Sequence, residues 1–406
     1  LHDIYTSTNG DNWLWGLQAS YFPGIPWNFS GNPNPCMDIW QGINCTSTSI
    51  NNYVHVSGID LAVMFLEGTL PDSIGMFPML QKLFLSANLI TGTLPGTLSN
   101  LTNLQILDIS SNVFHKKLPG TLGVLVNLVE LYVQNNIFTG PLPELGNLTQ
   151  LTQLNYANNF INESLSSSFG NLLELQVFIA ENNMLTGSIP ESFGQLDRLT
   201  QLDLSYNTLS GSLPDSLGQL VNLQTFSVNS NFITGEIPSS LGNWSQLTTL
   251  QLYSNFLDSS IPPSFGAMAS LHTLSLQANY LHGTIPSSLC NITGLLGLRA
   301  MNNILTGQIP ACLVLNPALN TLVLYNNRLS GPLPDIYAPD SQLSFIDVNG
   351  LNFLTGTLPP ALGQLSNLEY LYAGLNQFTG PIPASFGNIS TLLGIYIKYN
   401  ALTGTL

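Results

Sequence analysis

The sequence has little charge and very few basic residues. Lys and Arg together number 7, against 22 Asp and Glu, and charged residues make up 7% of the 406 positions, where about 25% is usual for a soluble domain. Nucleic-acid phosphates and anionic membrane lipids are bound by clustered Lys and Arg. The net charge of −15 therefore argues against a nucleic-acid partner and excludes a polybasic membrane patch.

Long apolar segments are also missing. Hydrophobic residues reach 44%, yet no run of about 18 apolar residues occurs, as a transmembrane helix needs. The first residues, Leu1-His2-Asp3-Ile4-Tyr5, have neither the basic start nor the apolar stretch of a signal peptide. We therefore expect mature or trimmed material with no membrane segment in this chain.

Motifs for catalysis and metal binding are absent from the sequence. The five histidines are scattered and form no spaced pair, and there is no nucleophile elbow, P-loop or calcium loop. The cysteine spacings of 9 and 22 residues, without a nearby histidine pair, do not suit zinc. The sequence predicts a protein that is not an enzyme and that carries no cofactor or metal.

What the sequence does contain is one long series of asparagines. Met64 stands one period before the first of them, and a 23-residue interval leads into Asn159 and a 25-residue interval into Asn352, whereas all other intervals are 24 residues. The asparagines are Asn88, Asn112, Asn136, Asn159, Asn183, Asn207, Asn231, Asn255, Asn279, Asn303, Asn327, Asn352, Asn376 and Asn400. Fifteen repeats therefore begin within the chain, which predicts a repeat architecture.

Each repeat follows one pattern around its asparagine, numbered here as position zero. Apolar residues stand at positions −11, −8, −5, −3 and +2, Gly at +4 in 12 of 15 repeats, and Pro at +7 in 13 of 14. The alternation at −5 and −3 predicts a short strand, and stacked repeats predict a parallel sheet. Proline at +7 begins the return segment, where short helical or 3₁₀ turns are expected.

The consensus LxxLxxLxLxxNxLTGxIPxxLGN resembles the plant-type leucine-rich repeat. The resemblance covers residues 53–406 and implies an α/β solenoid, a right-handed curved superhelix of about 15 24-residue repeats with a parallel concave sheet. It also implies that the repeat asparagines bond backbone groups of adjacent turns. The sequence stops part-way through the fifteenth repeat, so we expect an incomplete last repeat without a C-terminal cap in this chain.

Residues 1–52 differ from the repeats. The segment from Cys36 to Cys45 encloses Trp40-Gln41-Gly42, which resembles the N-terminal cap of secreted plant-type leucine-rich-repeat proteins, and the stretch from Ile4 to Trp13 is similar to a cap variant of algal and protist members. The resemblance implies a Cys36–Cys45 disulfide. A cap must cover the apolar edge of the first repeat, and we expect Trp13, Trp15, Trp27 and Trp40 to fill it.

The other two cysteines are Cys290 and Cys312, 22 residues apart on the return turns of adjacent repeats. A second disulfide suits this spacing, and two separate buried thiols are the alternative. Four cysteines that pair locally are typical of an oxidising compartment. The predicted location is therefore extracellular, at the cell surface or secreted.

Binding by such solenoids is expected on the concave sheet. Aromatic residues become denser there toward the C-terminal half, and Arg299 is the only arginine in the two columns at −4 and −2. The candidate ligand-binding residues are Tyr253, Arg299, Met301, Tyr325, Tyr372 and Tyr396. The alternative is cross-strand packing of exposed aromatics with no ligand. Asp60, Asp108 and Asp203 share a column but lie two and four repeats apart, too far for paired-carboxylate catalysis.

Two functions fit this pattern. The first is a non-enzymatic recognition scaffold that binds a protein, peptide or glycan on its concave face; plant peptide receptors of the family often use paired arginines there, and this sequence has no such pair. The second is a structural cell-surface or matrix glycoprotein that self-associates end to end into filaments. In that case the uncapped C-terminal edge, with Ile395, Ile397 and Leu402, docks on another copy, whereas trimming or continuation of the gene explains the same ending.

Glycosylation is predicted at eight N-x-S/T sequons, five of which share position −12. These five are Asn100, Asn147, Asn243, Asn291 and Asn388, and the others are Asn28, Asn44 and Asn162. Because position −12 lies beside the return turn, we expect glycans along one flank and a sheet free of them. Peptide mapping after glycosidase treatment of protein from its native host should find deamidation at most of the five, and unmodified peptides at all of them would contradict the prediction.

Overall fold

The computed structural model describes residues 1–15, 24–46 and 53–404. The chain divides into two compact units, Leu1–Leu199 and Thr200–Leu406. The described residues do not include residue 52, where the boundary of the cap is predicted. They also do not include residues 405 and 406, at the end of the predicted docking edge. None of the helices in the described ranges has the length and apolar character needed to cross a bilayer.

The strands around positions −6 to −4 form the main sheet of each unit. In most of these strands the middle residue is buried and the flanking residues are half-buried, as in Gln201–Asp203, and neighbouring strands of the repeats pair in parallel. The middle residue is exposed in Ile43–Cys45, which pairs antiparallel, and in Gly394–Tyr396. In the first unit these strands are Ile43–Cys45, Val56–Asp60, Lys82–Phe84, Ile106–Asp108, Glu130–Tyr132, Gln153–Asn155 and Val177–Ile179. In the second unit they are Gln201–Asp203, Thr225–Ser227, Thr249–Gln251, Thr273–Ser275, Gly297–Arg299, Thr321–Val323, Phe345–Asp347, Tyr370–Tyr372 and Gly394–Tyr396.

A second set of short strands follows Met64 and most of the repeat asparagines, with Asn183 and Asn279 as exceptions, and we call these the flank strands. In the first unit the flank strands are Glu67–Thr69, Leu89–Gly92, Val113–Lys116, Ile137–Gly140 and Phe160–Ile161. In the second unit they are Ser210–Gly211, Phe232–Gly235, Phe256–Leu257, Thr306–Gly307, Arg328–Gly331, Phe353–Leu354, Thr379–Gly380 and Ala401–Leu402. The expected repeat fold, with a strand and a return segment in most repeats, is therefore confirmed, and the flank strands are an addition that the sequence pattern did not predict.

The return segments are mostly 3₁₀ turns that begin just after the proline. In the first unit they are Asp72–Met76, Gly96–Asn100, Gly120–Val124, Ser167–Asn171 and Glu191–Gln195. In the second unit they are Asp215–Gln219, Ser239–Asn243, Pro263–Ala267, Ser287–Asn291, Pro360–Gln364 and Ala384–Asn388, with one α-helical turn at Ala311–Val314. Proline fits before such a turn because its ring fixes φ near the required value. It has no N–H, and a residue at the start of a turn has no intrahelical partner for that N–H.

The repeat asparagines form the expected ladder. The Nδ2 of Asn255 donates to the carbonyl oxygens of Val228 and Leu252, at 3.0 and 3.2 Å, and its Oδ1 accepts the N–H of Ile233 at 3.0 Å. Val228 and Ile233 belong to the preceding repeat. Each asparagine thus pairs buried main-chain groups at the bend that follows the strand, groups that no sheet bond reaches.

The return segments pack against each other through glycine. A Cβ placed on Gly242 or Gly266 would lie only 2.6 or 2.8 Å from the Cβ of Ser264 or Ser288, in the next repeat. At these two positions a Cβ would overlap the serine of the next repeat, so glycine allows the turns to approach closely. The hydroxyls of both serines donate to carbonyl oxygens of the preceding return segment, at 2.7 Å each.

The second disulfide occupies the next step of this glycine–serine series. Cys290 stands where the two preceding repeats have Gly242 and Gly266, and Cys312 stands where they have serine. The structure joins Cys290 to Cys312 with a Cα–Cα distance of 5.6 Å, and Cys36 to Cys45 with 5.9 Å. No free cysteine remains among the described residues. The predicted pairing is present, and separate thiols are excluded.

The segment before the repeats is built around indole rings. Trp13, Trp27 and Trp40 are buried, and Trp13 and Trp27 have ring centroids 5.0 Å apart. The Nε1 of Trp27 donates to the carbonyl of Gln41 at 2.8 Å, so its polar atom is paired. Trp15 is only half-buried, although its ring also contacts Trp13. A helix, His2–Ser7, and a 3₁₀ turn, Gly10–Asn12, precede this cluster.

This segment covers the first repeat through main-chain bonds. The N–H of Glu67 donates to the carbonyl oxygen of Thr8 at 3.1 Å. The strand Ile43–Cys45 pairs antiparallel with Val56–Asp60, the first strand of the repeats. These bonds pair main-chain groups of Glu67 and of the strand Val56–Asp60 that the first repeat would otherwise expose, as a cap is expected to do.

Replacing a ladder asparagine should destabilise the second unit strongly. In Asn255→Ala the buried N–H of Ile233 is left without a partner, which costs about 1–3 kcal/mol. The carbonyls of Val228 and Leu252 each lose one of two donors and keep the bond from Asn231 or Asn279. We expect the free energy of unfolding, measured by denaturant titration, to fall by at least about 2 kcal/mol. Ser254→Ala is the matched control, because the same column already holds Ala278 in the same left-handed conformation. A fall no larger than in this control would contradict the ladder's role.

Candidate binding surface on the main sheet

The main sheet of the second unit carries a cluster of aromatic rings near its last strands. Ring centroids lie 5.9 Å apart for Phe345 and Tyr370, 5.6 Å for Phe345 and Tyr372, and 6.3 Å for Tyr372 and Tyr396. The rings of Tyr370 and Tyr372 are nearly parallel, at 7°. All four side chains are half-buried, so each ring keeps an exposed part. We call these four residues the aromatic platform.

Two glycines make room for the platform. A Cβ on Gly374 would lie 2.5 Å from the ring of Tyr396, and a Cβ on Gly394 would lie 3.0 Å from the ring of Tyr370. Neither glycine has a positive φ, so space is the reason for both of them. The rings lie against the sheet because these positions lack side chains.

A lysine adds a positive charge at one end of the platform. The Nζ of Lys398 lies 4.8 Å from the ring centroid of Tyr396 and 5.1 Å from that of Tyr399. Hydrogen bonding to Tyr396, with the charges of both tyrosines, raises the pKa of Lys398. The ammonium is fully exposed and stays charged, so the platform offers stacking area next to a cation.

The other predicted binding residues lie along the same sheet. Tyr253, Met301 and Tyr325 occupy one column, with Tyr253 three repeats from Tyr325. Arg299 ends the strand Gly297–Arg299 and folds back, since a Cβ on Gly297 would lie 3.3 Å from its Nη1. It makes no ion pair with any residue that the structure describes. Arg299 is therefore a half-buried cation available to an acidic group.

Tyr253 does not pair with this cluster but with a residue that sequence reasoning missed. Its hydroxyl lies 3.3 Å from that of Tyr206, two repeats earlier. Burial, followed by the bond to Tyr206 and the charges of Tyr206 and Asp203, raises the pKa of Tyr253 to about 12. The hydroxyl therefore stays protonated at neutral pH and is able to donate.

The main sheet of the first unit carries carboxylates beside its aromatic residues. Asp60 and Asp108 occupy one column, and burial, opposed by the N–H of Ala62 and assisted by the charge of Asp108, raises the pKa of Asp60. Burial, with the neighbouring Glu130 next in size, raises the pKa of Tyr132 to about 12. In the described ranges, no group of three or more His, Cys, Asp or Glu side chains is arranged to hold a metal.

All eight sequon asparagines are exposed. Asn100, Asn243, Asn291 and Asn388 are the last residues of 3₁₀ turns, and Asn147 lies in the corresponding turn. Asn44 lies in the strand Ile43–Cys45 and Asn162 directly after the strand Phe160–Ile161. Five sequons therefore lie on the return side, away from the main sheet, and their occupancy remains a prediction.

Family models match the repeats. A model described as "Leucine rich repeat" matches residues 78–138. A second model of the same description matches residues 174–196, 198–220, 222–244, 246–268, 270–292 and 367–389. A comparison with the sequences of curated proteins finds no match.

Several solved structures are similar to this chain. The ectodomain of the Arabidopsis receptor kinase HAESA, solved with an N-terminally extended IDA peptide hormone, is 30% identical with a TM-score of 0.78, over 91% of this chain and 62% of that one. The plant peptide hormone receptor RGFR1, solved with RGF2, is 30% identical with a TM-score of 0.75, over 84% and 59%. A leucine-rich-repeat protein of Leptospira interrogans is 27% identical with a TM-score of 0.65, over 86% and 91%. The chain thus spans about six tenths of the length of the two plant receptor structures.

Filling the space under the platform should displace it. In Gly374→Ala the new methyl group overlaps the ring of Tyr396, so the ring must turn away from Tyr372, at a cost of about 1–3 kcal/mol. We expect a weaker near-ultraviolet circular dichroism signal from tyrosine and a lower melting temperature. Gly387→Ala is the control, because a Cβ there meets nothing within 4 Å. Equal circular dichroism signals and melting temperatures in the two variants would show that the missing side chain at Gly374 does not position the ring of Tyr396.

Proposed function

We propose that this chain, which is a leucine-rich-repeat protein of the plant type, acts outside the cell as a non-enzymatic recognition glycoprotein that binds a protein or peptide on the main sheet of its second unit. The observation that carries the proposal is the aromatic platform on that sheet. Tyrosine and phenylalanine rings supply large contact area with little side-chain entropy to lose, and such residues are enriched at binding interfaces. Partly exposed aromatic rings that cluster on one face are typical of a surface that binds a partner.

The similar plant structures support a peptide as the partner. HAESA and RGFR1 are both solved with peptide hormones bound. In this chain the half-buried Arg299 and the exposed Lys398 are cations that suit an acidic side chain or a terminal carboxylate. The rings of Tyr325 and Tyr372 lie on the same sheet and suit apolar side chains of that partner.

An extracellular location fits the cysteines and the sequons. Both disulfides join neighbouring segments, and such bonds persist in oxidising compartments. Glycans on the sequons at position −12 would lie on the return side and leave the main sheet open. They would also supply solubility to a surface with 7% charged residues.

The proposal is tested by selecting ligands and then changing the sheet. Purified protein is screened against a displayed library of linear peptides and against a glycan array. We expect selected peptides to bind Arg299→Ala and Tyr372→Ala at least several-fold more weakly, because each change removes a cation or a stacking ring. Gln364→Ala is the control, since Gln364 ends an exposed return turn of the repeat that carries Tyr372.

Two outcomes would contradict the proposal. Equal binding of the selected peptides to Arg299→Ala, Tyr372→Ala and Gln364→Ala would place recognition elsewhere. The second outcome is binding to the glycan array but to no peptide, with that binding lost in Tyr372→Ala. The ligand would then be a carbohydrate that stacks on the platform.

A further inference from the structure

One amide side chain next to the main sheet of the second unit is almost completely buried, as Ser205 of the preceding repeat also is. Asn229 is 1% exposed, although it shares a column with Tyr253, Met301 and Tyr325, which are half-buried. Its main chain lies between those of two tyrosines. The carbonyl of Asn229 accepts the N–H of Tyr206 at 2.9 Å, and the N–H of Ser230 donates to the carbonyl of Tyr253 at 3.0 Å.

The two tyrosines close over this residue. Tyr206 and Tyr253 belong to the repeats on either side of Asn229, yet their hydroxyl oxygens are 3.3 Å apart. Two side chains that start two strands apart meet only by leaning toward each other across the strand between them. Asn229 lies two residues after that strand, Thr225–Ser227, beneath the point where the two hydroxyls meet, which accounts for its burial.

The covered amide has no hydrogen-bond partner. Both Oδ1 and Nδ2 of Asn229 are buried and unpaired among the described residues. Asn231, two residues later, shows the contrast: its Nδ2 donates to Leu204 and Val228, and its Oδ1 accepts from Leu209. Because an unpaired buried amide costs free energy, the closed arrangement is less stable than one in which the Asn229 amide is bonded.

The cover itself is also strained. Tyr206 has a φ of +53°, in a column where most repeats have Asn, Ser or Ala, and left-handed backbone is unfavourable for a bulky side chain. The ring of Tyr206 is 53% exposed, so little packing holds it down. One contact between the hydroxyls of Tyr206 and Tyr253 holds the two side chains together. Separating the two rings therefore costs little free energy.

We propose that Tyr206 and Tyr253 form a lid over Asn229, and that an extended basic peptide opens the lid and pairs its main chain with the Asn229 amide. This inference rests on the proposed recognition function and assigns its main-chain contact. A side-chain amide carries one acceptor and one donor group, so it pairs with the C=O and N–H of an extended peptide at once. Strand-like peptides bind by such main-chain bonds.

The basic character follows from Asp203. Its Oδ1 accepts the N–H and the hydroxyl of Ser205, at 3.0 and 2.6 Å, which holds the carboxylate in place. Its charge reaches Tyr253 and contributes to the raised pKa of that residue. With a net charge of −15 on the whole chain, a Lys or Arg side chain is favoured beside the lid.

The test uses the whole chain and an immobilised library of linear peptides of randomised sequence. We expect wild-type protein to retain peptides enriched in Lys and Arg. Asn229→Leu should bind these peptides at least about tenfold more weakly, because two hydrogen bonds to the peptide main chain are lost. Tyr206→Ser should bind them several-fold more tightly, since serine is the residue of this column in Ser230 and Ser254 and leaves no lid to open. Asp203→Asn should reduce the preference for basic peptides.

Thermal unfolding separates binding from folding. Asn229→Leu removes an unpaired amide, so its melting temperature should be equal to or above that of the wild type. Asn231→Leu removes a bonded amide, so its melting temperature should fall. Equal losses in the two variants would show that Asn229 is an ordinary structural residue and would overturn the lid.

Three binding results would also overturn it: equal affinity in Asn229→Leu, weaker binding in Tyr206→Ser, or no peptide retained by either wild type or Tyr206→Ser. The proposed function is judged separately. Peptides that are lost in Arg299→Ala and Tyr372→Ala but unaffected by Asn229→Leu and Tyr206→Ser would leave recognition on the main sheet and remove only the lid.

Discussion

The buried asparagine amide is the interaction on which the other features depend. A strand of three residues followed by a sharp bend leaves main-chain groups that no sheet bond reaches. The asparagine of each repeat bonds these groups in its own repeat and in the preceding one, as Asn231 and Asn255 do. Successive strands are thereby held in one register, and the solvent-facing columns, the aromatic platform and the lid over Asn229 all follow from that register.

Most of the fold is predictable because its rules are local and recur every 24 residues. The spacing of 22 residues between Cys290 and Cys312 is the spacing of the glycine–serine contacts before it, and it indicated the disulfide correctly. The irregular repeats were not predictable in detail. Where the interval shortens to 23 residues, the described return segment between Gly140 and Leu148 has no 3₁₀ turn, and where Cys312 replaces serine the turn Ala311–Val314 is α-helical.

The binding surface was only partly predictable. Tyr372 and Tyr396 stand out in one column, but Phe345 and Tyr370 belong to the first position of their strands, a column that carries Thr in Thr225, Thr249 and Thr273. The signal existed, since an aromatic two residues before Tyr372 must face the same way. The burial of Asn229 had no such signal, because it depends on how two rings in other repeats turn, and ring rotamers do not follow from repeat spacing.

The ladder has a direction that bears on how the chain is made. The side chain of each asparagine bonds only groups of its own repeat and the one before it, as Asn88 does with Met64, Leu66 and Leu61. Every partner of that side chain has therefore already been synthesised when the asparagine is added. Ordered growth from the amino-terminal segment, repeat by repeat, satisfies each buried amide at once. A nascent chain built this way keeps few unpaired groups waiting for residues not yet synthesised.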